Sequence, residues 1–336
     1  MNALGRAGIC LLSVLTVLAA QAFAGTLDDV KKKGFLQCGV SPNLVGFSSA
    51  DASGERRGFD VDFCRGLAAA IGVPAKFTPL TAKDRFPALQ SGEIDVLYRN
   101  TTITMNRDTK LGLDYAAINY FDGQGFMVRK AKNVKSAKQL NGATICVETG
   151  TTTEKNLADY FRTNKMTFKP LTFEGADNVR GAYEAGRCDA FTTDASGLAA
   201  QRPVLKTPDD HIILPEIISK EPLGPMTRHG DNQWTDVVRW VFNAQVIAEE
   251  KGITQANVDS MKGSDDPEIK RMLGVTDTMG PDTGLPQDWA LKAIKAVGNY
   301  GEIFERNLGT KTPLKIERGL NALWTHGGIL YVPPIR

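Results

Sequence analysis

The chain has 336 residues, 42% of them hydrophobic and 23% charged, with 40 basic against 38 acidic side chains and a net charge of +2. This length suggests about two domains, and the apolar fraction excludes a disordered chain. The balanced charge, without a basic tract, gives no electrostatic basis for binding nucleic acid.

The N-terminus has the pattern of a secretory signal peptide. Residues 1–24 carry one charged side chain, Arg6, followed by an apolar run over 9–20 and the sequence A-F-A at 22–24. A charged start, a short apolar stretch and small residues at the end are typical of a cleaved signal. A membrane anchor is the alternative, but the apolar run is short for a bilayer span. We therefore expect an exported protein that begins at Gly25.

Such cleavage leaves four cysteines, Cys38, Cys64, Cys146 and Cys188. An even number in an exported chain favours disulfides, with three possible connectivities. Four reduced, buried thiols are the alternative. No two of these cysteines form a C-x-x-C motif, so neither a zinc site nor a redox site is indicated.

Strands and helices alternate in the first part of the chain. Short apolar runs predict strands at 35–40, 77–80 and 94–97, and periodic segments predict helices at 60–70 and 85–90. Alternation of this kind is typical of α/β architecture with largely parallel sheets.

From residue 140 onward the same order returns. The predicted elements are strands at 144–147 and 188–192 and helices at 153–162 and 177–184. The sequence ALQSGEIDV at 88–96 resembles AYEAGRCDA at 182–190, and each ends a helix at a glycine before entering a strand. The two halves therefore resemble variants of one α/β lobe, although chance similarity of such short units is the alternative.

The C-terminal part begins with a segment rich in proline and glycine at 214–230, which predicts a connector running back between the lobes. Asp231 is placed to cap a helix that ends near Gly252, and another helix is predicted to start around Pro286. The remainder, to Arg336, has no motif that we can assign. We expect it to pack around the first lobe.

Polar segments follow three of the predicted strands, where ligands bind in open α/β sheets. The first, at 99–107, offers hydroxyl and amide groups, and Arg107 has a planar fork suited to a carboxylate. A polar helix cap is the alternative. In the second, Thr151 and Thr152 follow Gly150 at a helix start, which favours anion binding. A capping box between Thr151 and Glu154 explains part of this segment equally well.

The third segment contains Asp194, which either caps the next helix or holds a ligand ammonium group. Locally, the cap is favoured. Carboxylate receptors and an ammonium receptor on three strand ends would together describe an amino-acid site.

The sequence resembles the periplasmic amino-acid-binding subunits of ABC transporters, in solute-binding protein family 3. It is most similar to the subgroup that binds general L-amino acids or glutamate, glutamine, aspartate and asparagine. The segments that carry the resemblance lie at 58–63, 99–107, 123–126, 150–154 and 186–189. The resemblance implies a type II periplasmic-binding fold, in which two crossover strands join two α/β lobes and the ligand lies in the cleft between them.

The resemblance also implies the domain boundaries. Lobe one would comprise 26–123 and 223–336, lobe two 128–218, and the hinge would lie near 124–128 and 217–222. With these boundaries, the pairings Cys38–Cys64 and Cys146–Cys188 each stay within one lobe and leave the hinge free. We therefore expect those two disulfides.

By the same resemblance, Arg107 grips the ligand α-carboxylate, assisted by Thr102 and the Thr151–Thr152 region, and Asp194 receives the α-ammonium with Asn100 nearby. Arg99, together with Arg85 and Glu148, offers polar contacts to the ligand side chain, although the sequence leaves open which of them reach the cleft.

Members of the family that bind basic amino acids carry an acid and an aromatic residue where this chain has Ser41 and Leu44. Cationic ligands therefore lack their usual partners here. We expect broad binding of polar and acidic L-amino acids.

The expected function is thus a monomeric, periplasmic substrate-binding subunit that passes amino acids to a membrane permease, without a cofactor or metal. One alternative is an exported enzyme on the same fold, of the type that dehydrates cyclic amino-acid precursors. It would need a general acid over the ligand, and the sequence offers three histidines and no paired-carboxylate motif. A sensory receptor domain would need a following membrane span, and residues 252–336 contain no apolar run of that length.

Overall fold

The computed structural model describes residues 25–277 and 279–336, so the predicted signal peptide at 1–24 lies outside the described residues. In chain order the strands are β1 (Leu36–Val40), β2 (Ser49–Ala50), β3 (Arg56–Arg57), β4 (Ala75–Pro79), β5 (Val96–Leu97), β6 (Leu113–Tyr115), β7 (Tyr120–Asp122), β8 (Gln124–Arg129), β9 (Thr144–Glu148), β10 (Lys169–Phe173), β11 (Ala190–Asp194), β12 (His211–Ile213), β13 (Glu221–Leu223) and β14 (Met226–Arg228). The α-helices are α1 (Thr26–Lys33), α2 (Phe59–Ile71), α3 (Arg85–Ser91), α4 (Thr152–Thr163), α5 (Ala176–Glu184), α6 (Ala195–Gln201), α7 (Asn232–Glu250), α8 (Pro267–Met272), α9 (Met279–Thr283), α10 (Trp289–Val297) and α11 (Tyr300–Asn307).

The two lobes are built on five-stranded sheets with the same strand arrangement. In lobe one the order is β4-β1-β5-β14-β6, and in lobe two it is β10-β9-β11-β8-β12. In each sheet the first three strands run parallel, and the fourth runs antiparallel to both of its neighbours. Strands β1 and β9 are buried along most of their length, as expected of parallel strands covered on both faces.

The sequence echo between the halves corresponds to a structural repeat. Asp95 accepts a hydrogen bond from the Gln37 N–H in β1, and its own N–H donates to the Gln37 carbonyl. Asp189 makes the same two bonds with Thr144 in β9. The preceding helices end at Gly92 and just before Gly186, both with positive φ. The same pair of hydrogen bonds from an aspartate therefore holds the chain against β1 in lobe one and against β9 in lobe two.

Each lobe also contains one of the two disulfides. Cys38 on β1 is bonded to Cys64 on α2, and Cys146 on β9 is bonded to Cys188, two residues before β11. Neither bridge crosses between the lobes. A disulfide that closes a loop of this size contributes about 3–4 kcal/mol in the chain-entropy account.

Lobe one has the larger core because the C-terminal region packs on it. Helices α10 and α11 lie against α2 and α7, and α11 contributes Tyr300 and Phe304 to an aromatic cluster around Phe59 and Phe63. The rings meet mostly edge to face, a favourable arrangement for aromatic side chains. Within 25–277 and 279–336, no helix combines the length and apolar character needed to cross a bilayer.

The segments that connect the lobes form a two-stranded ribbon. Strand β7 pairs antiparallel with β13, with Phe121 opposite Pro222. Residues 124–128, expected in the hinge, lie instead inside β8, a buried strand of the lobe two sheet, so the first crossover comes slightly earlier in the chain. On the other side of β7, the Asn321 amide accepts from the Phe121 N–H at 2.7 Å and donates to its carbonyl at 3.1 Å.

Candidate functional site

The lobe one wall of the cleft is the irregular segment that follows β5. Asn100 adopts a positive φ of 27°, and its N–H donates to the Asp60 carboxylate at 3.0 Å. Its side-chain oxygen accepts from the Ser41 hydroxyl at 2.9 Å. Burial raises the pKa of Asp60 to about 7. These bonds fix the chain direction just before Thr102.

Arg107 lies on a five-residue π-helix, Asn106–Lys110, a rare element that is frequent at functional sites. Its guanidinium is buried, donates from Nη1 to the Thr102 carbonyl at 2.6 Å and stacks over the Phe86 ring. Burial lowers the pKa of Arg107 to about 10, against the effect of Glu221 and Asp194. The group therefore remains a buried cation at neutral pH.

The lobe two wall begins at the start of α4, where Thr151 acts as the helix cap. Its hydroxyl accepts from the Glu154 N–H at 3.3 Å and donates to the Glu148 carbonyl at 2.7 Å. The Glu154 carboxylate accepts from the Gly150 N–H, so the box closes one residue earlier than its usual form. Capping accounts for Thr151, whereas the next residue, Thr152, points its hydroxyl toward lobe one.

Asp194, the last residue of β11, does not make the side-chain cap that its local sequence favours. It is 7% exposed, and none of the described residues donates a hydrogen bond to its carboxylate. Burial raises the pKa of Asp194 well above its usual range, and the neighbouring Asp122 and Glu221 carboxylates add to the shift. Burial likewise raises the pKa of Asp122 to about 6. Asp194 is thus an acid that lacks a donor.

Glu221, the first residue of β13, was not anticipated from the sequence. It is 1% exposed and accepts four hydrogen bonds. One oxygen accepts from the hydroxyls of Thr102 at 2.6 Å and Thr152 at 2.9 Å, and the other from the Asn156 amide and the Ser219 hydroxyl, both at 2.6 Å. A glutamate in a connector rich in proline and glycine was the only signal available. We call Thr102, Arg107, Thr152, Asp194 and Glu221 the inner end of the cleft.

Beyond the inner end, the lobes enclose a cavity of about 520 Å³, which we call the outer cavity. Of the predicted site residues, Arg99 and Asn100 line it, and so does Glu148, whose carboxylate lies 3.6 Å from the Arg99 guanidinium. Arg107, Thr102, Thr151, Thr152 and Asp194 do not line it. The remaining lining comes from both lobes: Ser41, Pro42, Asn43, Leu44, Thr81, Glu174, Gly175, Ala176, Asp177, Asn178, Phe191, Thr193, Gly197 and Gln201.

Arg85 does not line the outer cavity, and its side chain is almost fully buried in lobe one. Its Nη1 donates to the Thr101 hydroxyl at 3.3 Å, and its Nε has no partner among the described residues. Burial lowers the pKa of Arg85, as do the nearby Arg99 and Arg107. Three buried guanidiniums therefore share one side of the site.

A set of possible metal ligands lies away from this site, on lobe one. In the described part of the chain, Asp108, Asp114 and His229 are the His, Cys, Asp and Glu side chains close enough to share a cation. The His229 Nε2 lies 3.1 Å from Asp108 and 3.4 Å from Asp114. None of the three lines the outer cavity.

The family of the chain follows from a comparison with family models. The model of bacterial extracellular solute-binding proteins, family 3, matches residues 36–310. The chain belongs to this family. The type II fold expected from the resemblance is thereby confirmed.

Several family members resemble the chain over nearly its whole length. It is 63% identical over 329 residues to the general L-amino acid-binding periplasmic protein AapJ of Rhizobium johnstonii, with 96% of each chain covered. It is 55% identical over 331 residues to the glutamate/glutamine/aspartate/asparagine-binding protein BztA of Rhodobacter capsulatus, with 97% of each covered. A solved structure of a Brucella ovis ABC transporter periplasmic binding protein, with glutathione bound, is 60% identical with a TM-score of 0.91, covering 94% of this chain and 100% of that chain.

The relatives AapJ and BztA are binding proteins and not enzymes, which argues against the dehydratase alternative. The site itself is suited to binding. It joins a buried cation, Arg107, and a buried acid without a donor, Asp194, on opposite lobes. Such an arrangement can hold a zwitterion without any covalent step.

Proposed function

We propose that this protein is the periplasmic substrate-binding subunit of an amino-acid ABC transporter and captures L-amino acids between its lobes. The observation that carries the proposal is the pair of buried groups of opposite type at the inner end, the Arg107 guanidinium on lobe one and the Asp194 carboxyl group on lobe two. An α-amino acid carries the complementary pair. The relatives AapJ and BztA, which are named for amino-acid binding, support the same class of ligand.

In this proposal Arg107 binds the ligand α-carboxylate, because its remaining donors form a planar fork and charge-assisted pairs are strong in a dry site. Asp194 binds the α-ammonium, which supplies the donor that its carboxylate lacks. Thr102 and Thr152 complete the inner end, and Asn100 contributes from the outer cavity. Thr151 acts through the cap of α4 and not by direct contact.

For the ligand side chain we propose a preference for polar and acidic groups. Arg99 lines the outer cavity beside Glu148, and Arg85 is buried behind it. Glu174 and Asp177 also line the cavity, but these two acids are paired with Lys83 and Arg180, so an acidic ligand side chain finds guanidinium partners on the Arg99 side. Ser41 and Leu44 also line the cavity and supply neither the acid nor the aromatic face that would suit a cationic side chain. Cationic amino acids are therefore disfavoured.

A second candidate ligand class is the short γ-glutamyl peptide. The outer cavity of about 520 Å³ falls within the range of pockets that enclose drug-sized ligands. Glutathione, bound in the Brucella ovis relative, keeps a free α-carboxylate and α-ammonium at its glutamyl end. The same two anchors would take that end, and the rest of the peptide would extend into the outer cavity.

Closure of the lobes is the proposed signal for transport. A ligand held by Arg107 and Asp194 touches both lobes, so it binds the closed form more tightly than the open form, and only such a difference shifts the equilibrium. A membrane permease would recognise the closed form. We further propose export through a signal peptide at 1–24 and action as a monomer.

The proposal is tested by calorimetric titration of ligand-free protein with each protein L-amino acid and with glutathione. We expect glutamate and glutamine to bind more tightly than arginine and lysine. Solution scattering of the free and saturated protein should show a smaller radius of gyration when saturated. Arginine binding more tightly than both glutamate and glutamine would refute the preference, and binding of no amino acid would refute the function.

A further inference from the structure

Glu221 connects the two lobes through their ligand-facing residues. Thr102 belongs to lobe one, Thr152 and Asn156 lie one turn apart on α4 of lobe two, and Ser219 precedes Glu221 in the second crossover. The segment around Thr102 is also paired with the crossover, since the Ile103 N–H donates to the Pro222 carbonyl and the Gly224 N–H to the Thr101 carbonyl. The carboxylate is therefore a shared anchor for both walls of the inner end.

The hydrogen bonds to Glu221 determine where the two threonine protons point. A threonine hydroxyl has one proton and two lone pairs. The hydroxyl oxygens of Thr102 and Thr152 lie 3.3 Å apart, and both hydroxyls donate to the same Glu221 oxygen. The other Glu221 oxygen accepts from Asn156 and Ser219. With four donors around its two oxygens, the Glu221 side chain acts only as an acceptor. Both threonine protons are thus used, and each hydroxyl has only lone pairs left for a ligand.

We propose that Glu221 is a positioning residue for the ligand ammonium group: by taking the protons of Thr102 and Thr152, it makes both hydroxyls acceptors at the inner end. This inference rests on the proposed function and alters one of its details. The resemblance assigned these threonines to the ligand carboxylate, which needs donors. As acceptors they instead join Asp194 in surrounding the ammonium, and Arg107 is left as the side-chain receptor for the carboxylate.

The charges around the inner end agree with this assignment. Asp122, Asp194 and Glu221 interact with one another within a buried region, and Asp194 receives no hydrogen bond from the described residues. A cation placed among these groups relieves their mutual repulsion. The hydroxyls of Thr102 and Thr152 add lone pairs near these acids. Several acceptors therefore favour a ligand that has an ammonium group over one that lacks it.

The experiment compares L-glutamate with glutarate, the same molecule without its α-amino group, by calorimetric titration. Wild-type protein should bind glutamate much more tightly than glutarate. Glu221→Gln keeps the shape but lets an amide NH₂ donate to the threonines, whose protons then turn to the ligand. Glu221→Met removes both carboxylate oxygens and leaves only a weakly accepting sulfur. A hydrogen bond to a charged group changes affinity by about tenfold or more, so the glutamate-to-glutarate ratio should shrink by about tenfold.

The ratio separates positioning from a merely structural role, because loss of folding or closure weakens both ligands equally. Glu93→Gln, which removes the same charge from an exposed site on lobe one, is the control and should keep the wild-type ratio. A smaller glutamate-to-glutarate affinity ratio in either Glu221 variant supports the inference. If the amide of the glutamine variant turns its NH₂ toward Asn156 and Ser219, the methionine variant alone should narrow the ratio. If the methionine variant does not fold, the glutamine variant decides.

Thr102→Val should also reduce the glutamate-to-glutarate ratio, because it removes the hydroxyl lone pairs. Thr102→Ser keeps the hydroxyl and should keep the wild-type ratio. Glutamate binding with a ratio unchanged in every Glu221 variant that folds would overturn this inference alone. A wild-type glutamate-to-glutarate ratio near one would overturn this inference and also the ammonium-binding role proposed for Asp194. Failure of the wild-type protein to bind any L-amino acid would overturn the proposed function and this inference together.

Discussion

The inner end of the cleft and the outer cavity differ in how their polar groups are satisfied. At the inner end, Thr102, Thr152 and Glu221 bond to one another across the lobes, and Arg107 is tied to a backbone carbonyl. The outer cavity lies between the lobes, and its lining consists largely of uncharged polar and small residues. In the proposed function, the charged groups of the inner end bind the part that all amino acids share, while the outer cavity accommodates different side chains. Breadth of binding and tight anchoring are therefore compatible in one cleft.

The largest effect should follow removal of the inner cation. Arg107→Ala should weaken glutamate binding by roughly 2–5 kcal/mol, because the ligand carboxylate is left buried without a partner. Arg107→Lys should restore little, since an ammonium cannot reproduce the planar fork. Calorimetric titration measures both, with Arg162→Ala on the exposed face of α4 as the control. A loss of less than about threefold in the alanine variant would remove Arg107 from the site.

The next largest effect should come from the inner acid. Asp194→Asn keeps the side-chain shape but removes the charge that faces the ligand ammonium, so affinity should fall by about tenfold to a hundredfold. Because the pKa of Asp194 is raised in the free protein, protonation opposes binding. Wild-type affinity should therefore increase with pH through that raised pKa, and the variant should lack this part of the increase. Titrations at acidic and neutral pH test the difference, and parallel pH profiles would contradict it.

A smaller effect is expected in the outer cavity, and it should depend on ligand length. Asn178, on the lobe two rim, donates to the Glu174 carbonyl and lines the cavity. Asn178→Ala should leave glutamate affinity within about threefold and weaken glutathione by several-fold, as expected for one lost hydrogen bond. Equal losses for the two ligands in the same titrations would mean that the cavity does not distinguish them by length.

The smallest effect on affinity is expected at Asp60, which supports Asn100 without facing the cavity. Asp60→Asn keeps an acceptor for the Asn100 N–H, so ligand binding should change by less than about threefold. Stability should respond more. Burial raises the folded-state pKa of Asp60 to about 7, so ionisation costs wild-type stability progressively from near pH 4 up to pH 7. Relative to wild type, the urea midpoint of the variant should rise over this window, and a constant difference would contradict the assignment.

Much of the fold could be predicted because its signals are local. Apolar runs bounded by glycine gave β1, α2 and α4 to within two residues at each end. The strand predicted at 188–192 begins two residues later, because the Asp189 carboxylate, and not its backbone carbonyl, accepts the hydrogen bond from the Thr144 N–H. Likewise, 124–128 became a sheet strand and not a hinge, since its side chains complete the core of lobe two.

The candidate site was predictable only where a residue follows its strand closely. Arg107 and Asp194 come soon after β5 and at the end of β11, so strand-end reasoning reached them. Glu221 contacts Thr102 across 119 residues and Asn156 across 65, and no local pattern records such pairings. The direction of the threonine protons depends on that contact, so the sequence left it open.

The amide of Asn321 gives the C-terminal region a role beyond packing. By bonding both the N–H and the carbonyl of Phe121, it occupies the edge of β7 that β13 leaves open. Unoccupied strand edges recruit strands from other molecules, and a ribbon joining two lobes is where copies could exchange them to form domain-swapped dimers. Asn321 closes that edge from within the chain. The C-terminal region thus covers one edge of the ribbon that joins the two lobes, in addition to packing on lobe one.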